Sequence, residues 1–112
     1  MLDRIDTICV TVSDLDNSLN WYADKLKLNV INREDDYAIL KVGNSHVPFT
    51  IEVGEVKANA SVYPIFFSSD LEKVHRQLRK QDVIVTDIVQ VGANTFFDLF
   101  DLDGNRLQVC FC

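Results

Sequence analysis

The chain has 112 residues, 47% hydrophobic and 25% charged, a balance that fits one globular domain and excludes disordered, collagenous and coiled-coil classes. Its 11 basic and 17 acidic residues leave a net charge of −6, which argues against nucleic acid, since duplex binding rests on Lys and Arg neutralising phosphates. No apolar run approaches the ~20 residues of a membrane span, and Met1-Leu2-Asp3-Arg4 does not open a signal peptide, so no membrane partner is expected.

In chain order, Ile8, Val10 and Val12 alternate with Thr7, Cys9 and Thr11, which predicts a strand. Leu15, Leu19, Tyr22 and Leu26 then recur on one helical face, with Asp14 or Ser13 available to cap the first amides. Strands are expected at 28–32, 37–42 and 47–53, the last two joined through Gly43-Asn44-Ser45, a hairpin signal. A strand at 62–68 contains Pro64, which suggests an edge or a bulge. Ser69-Asp70-Leu71-Glu72 reads as a capping box opening a helix with Leu71, Val74 and Leu78 on its apolar face. Strands at 83–89, 95–101 and 105–111 complete the chain, with Asp103-Gly104 as the last tight turn.

The order of elements repeats as strand, helix and three strands. Ser13-Asp14-Leu15 recurs as Ser69-Asp70-Leu71, Asp16 answers Glu72 and Val53 answers Val109, all at an offset of 56. The small polar stretch Lys57-Ala58-Asn59-Ala60-Ser61 falls midway. The expectation is one α+β domain built from tandem βαβββ modules at 1–57 and 58–112, packed as a pair. Cys9, Cys110 and Cys112 make an odd count without CxxC spacing, so buried small residues in a reducing cytoplasm are expected rather than disulfides or a zinc site.

Several stretches resemble the glyoxalase/bleomycin-resistance/extradiol-dioxygenase, or vicinal oxygen chelate, superfamily. They are Arg4-Ile5-Asp6, then Val12-Ser13-Asp14-Leu15 leading to Leu19-Asn20-Trp21-Tyr22, and Ser69-Asp70-Leu71-Glu72. The most specific is the run from Phe100 through Asp101-Leu102-Asp103-Gly104-Asn105 to Arg106-Leu107-Gln108, close to the family's closing hairpin. The resemblance implies two βαβββ modules curled around a cleft, usually in a homodimer. It also implies a divalent cation held in metal-dependent members by His, Glu, His and Glu from the first and last strands of each module. Those positions fall on Thr7, Glu52, Tyr63 and Gln108, and the offset of 56 relates them in pairs.

Only Glu52 retains a ligand type of that set. A neutral hydroxyl, a phenol with pKa near 10 and an amide do not offset the desolvation of a doubly charged ion, so neither metal nor other cofactor is expected. His46 lies beside the Gly43 turn and His75 borders the apolar face of the second helix, where a solvated histidine is the ordinary explanation.

Strand alternation then sets the cleft's lining: Thr7, Cys9, Thr11, Thr50 and Glu52 from one module. From the other come Tyr63, Ile65, Phe67, Arg106, Gln108 and Cys110. The expected function is metal-independent binding of a small molecule, with Thr7, Cys9, Glu52, Tyr63, Phe67 and Gln108 as ligand contacts. Plain packing is the competing explanation for the aromatic residues. The alternative function is a glyoxalase-type lyase or isomerase in which Glu52, buried and raised in pKa, is the catalytic candidate. A third reading is a module recruited into a larger assembly with no ligand. Cys9 as a nucleophile lacks a histidine to generate its thiolate.

Overall fold

A computed structural model describes residues 1–57 and 61–111. The chain divides into two compact units, Met1–Lys57 and Ala58–Cys112. Ala58, Asn59 and Ala60 of the expected joint, and Cys112, lie outside the described residues.

The first unit runs β1 (Ile8–Val12), α1 (Leu15–Lys25), β2 (Asn29–Arg33), β3 (Tyr37–Lys41) and β4 (Phe49–Val53). Asp14 caps α1, its Oδ1 accepting the Asn17 amide at 2.9 Å, and Leu15, Leu19 and Tyr22 bury the apolar stripe. The four strands form a mixed sheet in the order β1-β4-β3-β2, with β1 parallel to β4 and the other pairs antiparallel. One face carries Val12, Ala38, Leu40, Phe49 and Ile51, all buried, and α1 packs against this sheet. The opposite face carries Cys9, Thr11, Thr50 and Glu52, as partners in register on β1 and β4 share a face. Gly43, at φ 48, takes the left-handed conformation in the β3–β4 turn, and Ser45 N–H closes it on the Val42 carbonyl at 2.9 Å.

The second unit runs β5 (Ile65–Phe67), α2 (Leu71–Lys80), β6 (Ile84–Val85), β7 (Val89–Val91), β8 (Asn94–Phe100) and β9 (Arg106–Phe111). Its five-stranded mixed sheet has the order β5-β9-β8-β6, with β7 also paired to β8. Phe97, Leu99, Leu107 and Val109 are buried on one face; Ile65, Asp98 and Gln108 stand across the strands on the other.

Three details differ from the sequence reading. Pro64 ends just before β5, so the strand is three residues long rather than seven; the Pro64 carbonyl still accepts the Gln108 amide at 3.0 Å. The cap of α2 is Asp70, whose Oδ1 accepts the Lys73 amide at 3.3 Å, so the Ser69–Glu72 box is not the device used. The expected strand at 83–89 is two strands, because the Asp98 amide donates to the Thr86 side-chain hydroxyl at 2.8 Å instead of continuing a plain ladder.

The repeat is also imperfect in register. Cys9 opposes Thr50 in the parallel pair of the first unit, and moving both by 56 would set Ile65 against Arg106. Ile65 instead opposes Gln108, a slide of two residues. Two is even, so the side chains keep their faces.

Candidate functional site

In the first unit, Thr7 lies just ahead of β1 and its hydroxyl donates to the Pro48 carbonyl at 3.0 Å. Its Oγ1 also lies 2.7 Å from Thr50 Oγ1. Since the single Thr7 proton serves Pro48, Thr50 is the donor in that second bond. Cys9 lies beside Thr50 in register, and Glu52 beside Thr11 and Tyr37. Glu52 is exposed, which corrects the burial that a catalytic role for it required. Tyr37 was missed by strand alternation alone, although a hairpin centred on Asn44 and Ser45 places it opposite Glu52.

Cys9 is exposed rather than buried as expected; loss of part of its hydration comes first, and the Glu52 carboxylate second, in pushing its thiol up to about 11, as Glu52 both repels the thiolate and accepts a hydrogen bond from the thiol. That places Cys9 far from the low-pKa setting of a nucleophile. Alkylation of Cys9 by iodoacetamide at pH 8, followed by peptide mass spectrometry, is expected to run roughly one to two orders of magnitude slower than for an unperturbed thiol. Glu52→Gln should accelerate it, and a rate matching free cysteine in the parent protein would contradict this account.

In the second unit, β9 presents Arg106 and Gln108 on the same face as Asp98 of β8, which opposes Gln108 in register. Asp98 Oδ1 accepts from Gln108 Nε2 at 3.0 Å, and Asp98 Oδ2 meets Arg106 Nε at 3.0 Å as an ion pair. The Arg106 guanidinium lies 3.9 Å from the centroid of the Tyr63 ring, a cation–π contact. Phe67 stands exposed at the end of β5 and its ring lies 5.9 Å from Phe111. Asp98 is a second residue, after Tyr37, that the sequence did not single out. Its signal was a lone charge inside the aromatic run Phe96-Phe97-Asp98-Leu99-Phe100, where the closing turn pairs it with the neighbourhood of Gln108.

His75 is not simply a solvated helix residue. Its Nε2–H donates to the Thr86 carbonyl at 2.9 Å and its ring meets Phe97 edge-on at 4.7 Å, tying α2 to the β6–β8 edge.

The four positions that resemblance assigns to a divalent cation are a poor fit to one. Thr7 has given its proton and one lone pair to neutral partners, and Tyr63 lies under a cation. Gln108 is held by Asp98 through its amide nitrogen, and Glu52 alone carries charge. Among the described residues, no three His, Cys, Asp or Glu side chains gather as metal ligands.

Residues 4–109 match the profile of the Glyoxalase/Bleomycin resistance protein/Dioxygenase superfamily, and the chain belongs to that superfamily. No curated protein sequence matches significantly. Among solved structures, the glyoxalase/bleomycin resistance protein/dioxygenase domain from Frankia sp. EAN1pec is similar with a TM-score of 0.82 at 18% identity, covering 99% of this chain and 98% of that one. The bleomycin resistance determinant encoded on transposon Tn5 is similar with a TM-score of 0.79 at 19% identity, covering 97% of each chain. The fosfomycin resistance protein FosX from Listeria monocytogenes gives 0.83 at 12% identity, covering 98% of this chain and 93% of that one. At these identities the likeness shows the fold alone. Among the described residues, no helix is long and apolar enough to cross a membrane.

Proposed function

We propose that the chain is a metal-independent small-molecule binding protein of the glyoxalase/bleomycin-resistance type, working as a homodimer in the cytoplasm. Its ligand contacts are Thr7, Cys9 and Glu52 on the first sheet, and Tyr63, Phe67 and Gln108 on or beside the second. The observation behind this reading is the chemistry of the donor set: one solvated carboxylate accompanied by a hydroxyl, an arene and an amide already engaged with neighbours. A hard divalent cation needs charge and free oxygen or nitrogen donors to replace its water. The names of solved relatives, bleomycin resistance and fosfomycin resistance, belong to those proteins, and they support searching for the ligand among small organic compounds.

Untagged protein purified without chelator is expected to carry far less than one equivalent of metal by elemental analysis. One equivalent of nickel, zinc, iron or manganese per chain would overturn the proposal. A thermal-shift screen of small organic compounds is expected to find a ligand, which at a hundredfold excess over Kd adds about 2.7 kcal/mol of stability. A module without a ligand would gain nothing. Sedimentation equilibrium tests the dimer. For the lyase or isomerase reading, Glu52→Gln would have to abolish turnover; with Glu52 in solvent, no feature of its surroundings favours that reading.

A further inference from the structure

We propose that the open face of the second sheet recognises a carboxylate monoanion with an apolar body, the Arg106 guanidinium taking the carboxylate and Ile65 and Phe67 the body. This rests on the small-molecule binding reading above and adds a ligand class to it.

Arg106 is held in place from two directions. Tyr63 lies against one flat side of the guanidinium at 3.9 Å, and Asp98 forms an ion pair with its Nε at 3.0 Å without hydrogen-bond geometry. Asp98 is itself fixed, since its other oxygen accepts from Gln108. Among the described residues Asp98 is the one carboxylate that forms an ion pair with Arg106. The Arg106 side chain is 38% exposed against 16% for Asp98, so the cation is the accessible member of the pair. A part-exposed guanidinium oriented by a ring and a carboxylate is suited to capture a second carboxylate with less rotamer entropy to lose than a free side chain.

The apolar part follows from the register. The pairing of Ile65 with Gln108 continues back to Tyr63 beside Arg106. Along β5, Ile65 then lies about 6.6 Å and Phe67 about 13 Å from that point at the usual strand rise. Ile65 is 53% and Phe67 62% exposed, both on the face that carries Gln108. Large exposed apolar side chains in line with an oriented cation fit an amphiphilic anion. Charge limits the ligand to a single carboxylate: Asp98 already offsets the Arg106 charge, so every further negative charge on the ligand adds repulsion from Asp98.

The test uses three probes of one shape: 4-phenylbutyrate, 4-phenylbutanol and 4-phenylbutylamine, titrated into the full chain and followed by two-dimensional NMR. The expected order is carboxylate first, by roughly tenfold or more over the alcohol, as one charge-assisted pair provides. Arg106→Gln should erase that preference while leaving alcohol binding within about twofold, and Arg106→Lys should restore only part of it. Phe67→Ala, at an exposed position, should weaken acid and alcohol alike. Equal binding of the three, tighter binding of the amine, or no binding of the acid overturns the inference. If the wider screen of organic compounds still finds a ligand, the small-molecule reading survives that failure; if it finds none, both fall. Should Arg106→Gln not fold, saturation-transfer contacts from the phenyl ring to Ile65 and Phe67 in the parent protein decide the matter, and their absence overturns the inference.

Discussion

Asp101→Ala is expected to remove about 3–4 kcal/mol of stability, a large share of the 5–15 kcal/mol typical of a domain. Asp101 is 7% exposed and sits at the foot of the β8–β9 turn. Its Oδ1 accepts the amides of Asp103 and Asn105, both at 2.9 Å, and its Oδ2 accepts Asn105 Nδ2 at 3.0 Å. Gly104, at φ 80, then turns the chain back, its amide reaching the Asp101 carbonyl at 3.0 Å. Alanine would leave three donors without this acceptor in a partly buried setting, where each lost charge-assisted bond costs more than a neutral one. Asp101→Asn keeps one oxygen for the two amides but turns a donor toward Asn105, and should cost less than half as much. Urea unfolding measures both; an alanine variant within about 1 kcal/mol of the parent would mean that the left-handed glycine alone holds the turn.

Tyr22→Ala is expected to cost about 4 kcal/mol, whereas Phe67→Ala should cost less than about 1 kcal/mol. Tyr22 is 0% exposed on α1, its ring 4.9 Å from Trp21 and 5.2 Å from Phe49. Truncation there opens a cavity between helix and sheet that rigid neighbours cannot close. Among the described residues Phe67 has one ring contact, with Phe111, and it is 62% exposed, so its removal exposes little that was dry. Similar losses for the two would show that Phe67 is a packing residue, and with it the proposed ligand contact would fail.

The faces of the sheets were legible in the sequence because alternation is a property of the backbone. Once Thr7 is placed on one side of the first strand, Cys9 and Thr11 must follow it, and Val12 must go to the core. Turn chemistry was equally direct at Gly43 and Gly104, where a positive φ selects the residue. What escaped was whatever depends on one side chain displacing a backbone partner. Thr86 interrupts an apolar run through its hydroxyl bond to the Asp98 amide, and hydrophobicity does not register a hydroxyl's partner. Asp70 outcompetes Ser69 as the cap of α2 by position, not by residue preference, since both are good caps.

The candidate site divides the same way. Residue types at the four family positions set the expectation of no metal, which the elemental analysis proposed above tests. The network at two of them, with Asp98 between Gln108 and Arg106 and Arg106 over Tyr63, joins β8 and β9 to the segment ahead of β5. Parity assigns each member a face. It does not reveal that an acid on one strand will claim a base on the next. Glu52 failed in the opposite direction: its face was deduced from alternation, but its solvation depends on the size of its neighbours.

The mismatch in register between Cys9–Thr50 and Ile65–Gln108 has a consequence for anyone exchanging parts between the two halves. A graft made by matching sequence index would aim every transplanted group at the proper side yet set it one pleat, about 6.6 Å, from its intended neighbours. Such a chimaera should fold and bind nothing. Duplicated halves of this kind can therefore diverge in chemistry by sliding in pairs of residues, a step that leaves the hydrophobic interior untouched while re-addressing everything on the other surface.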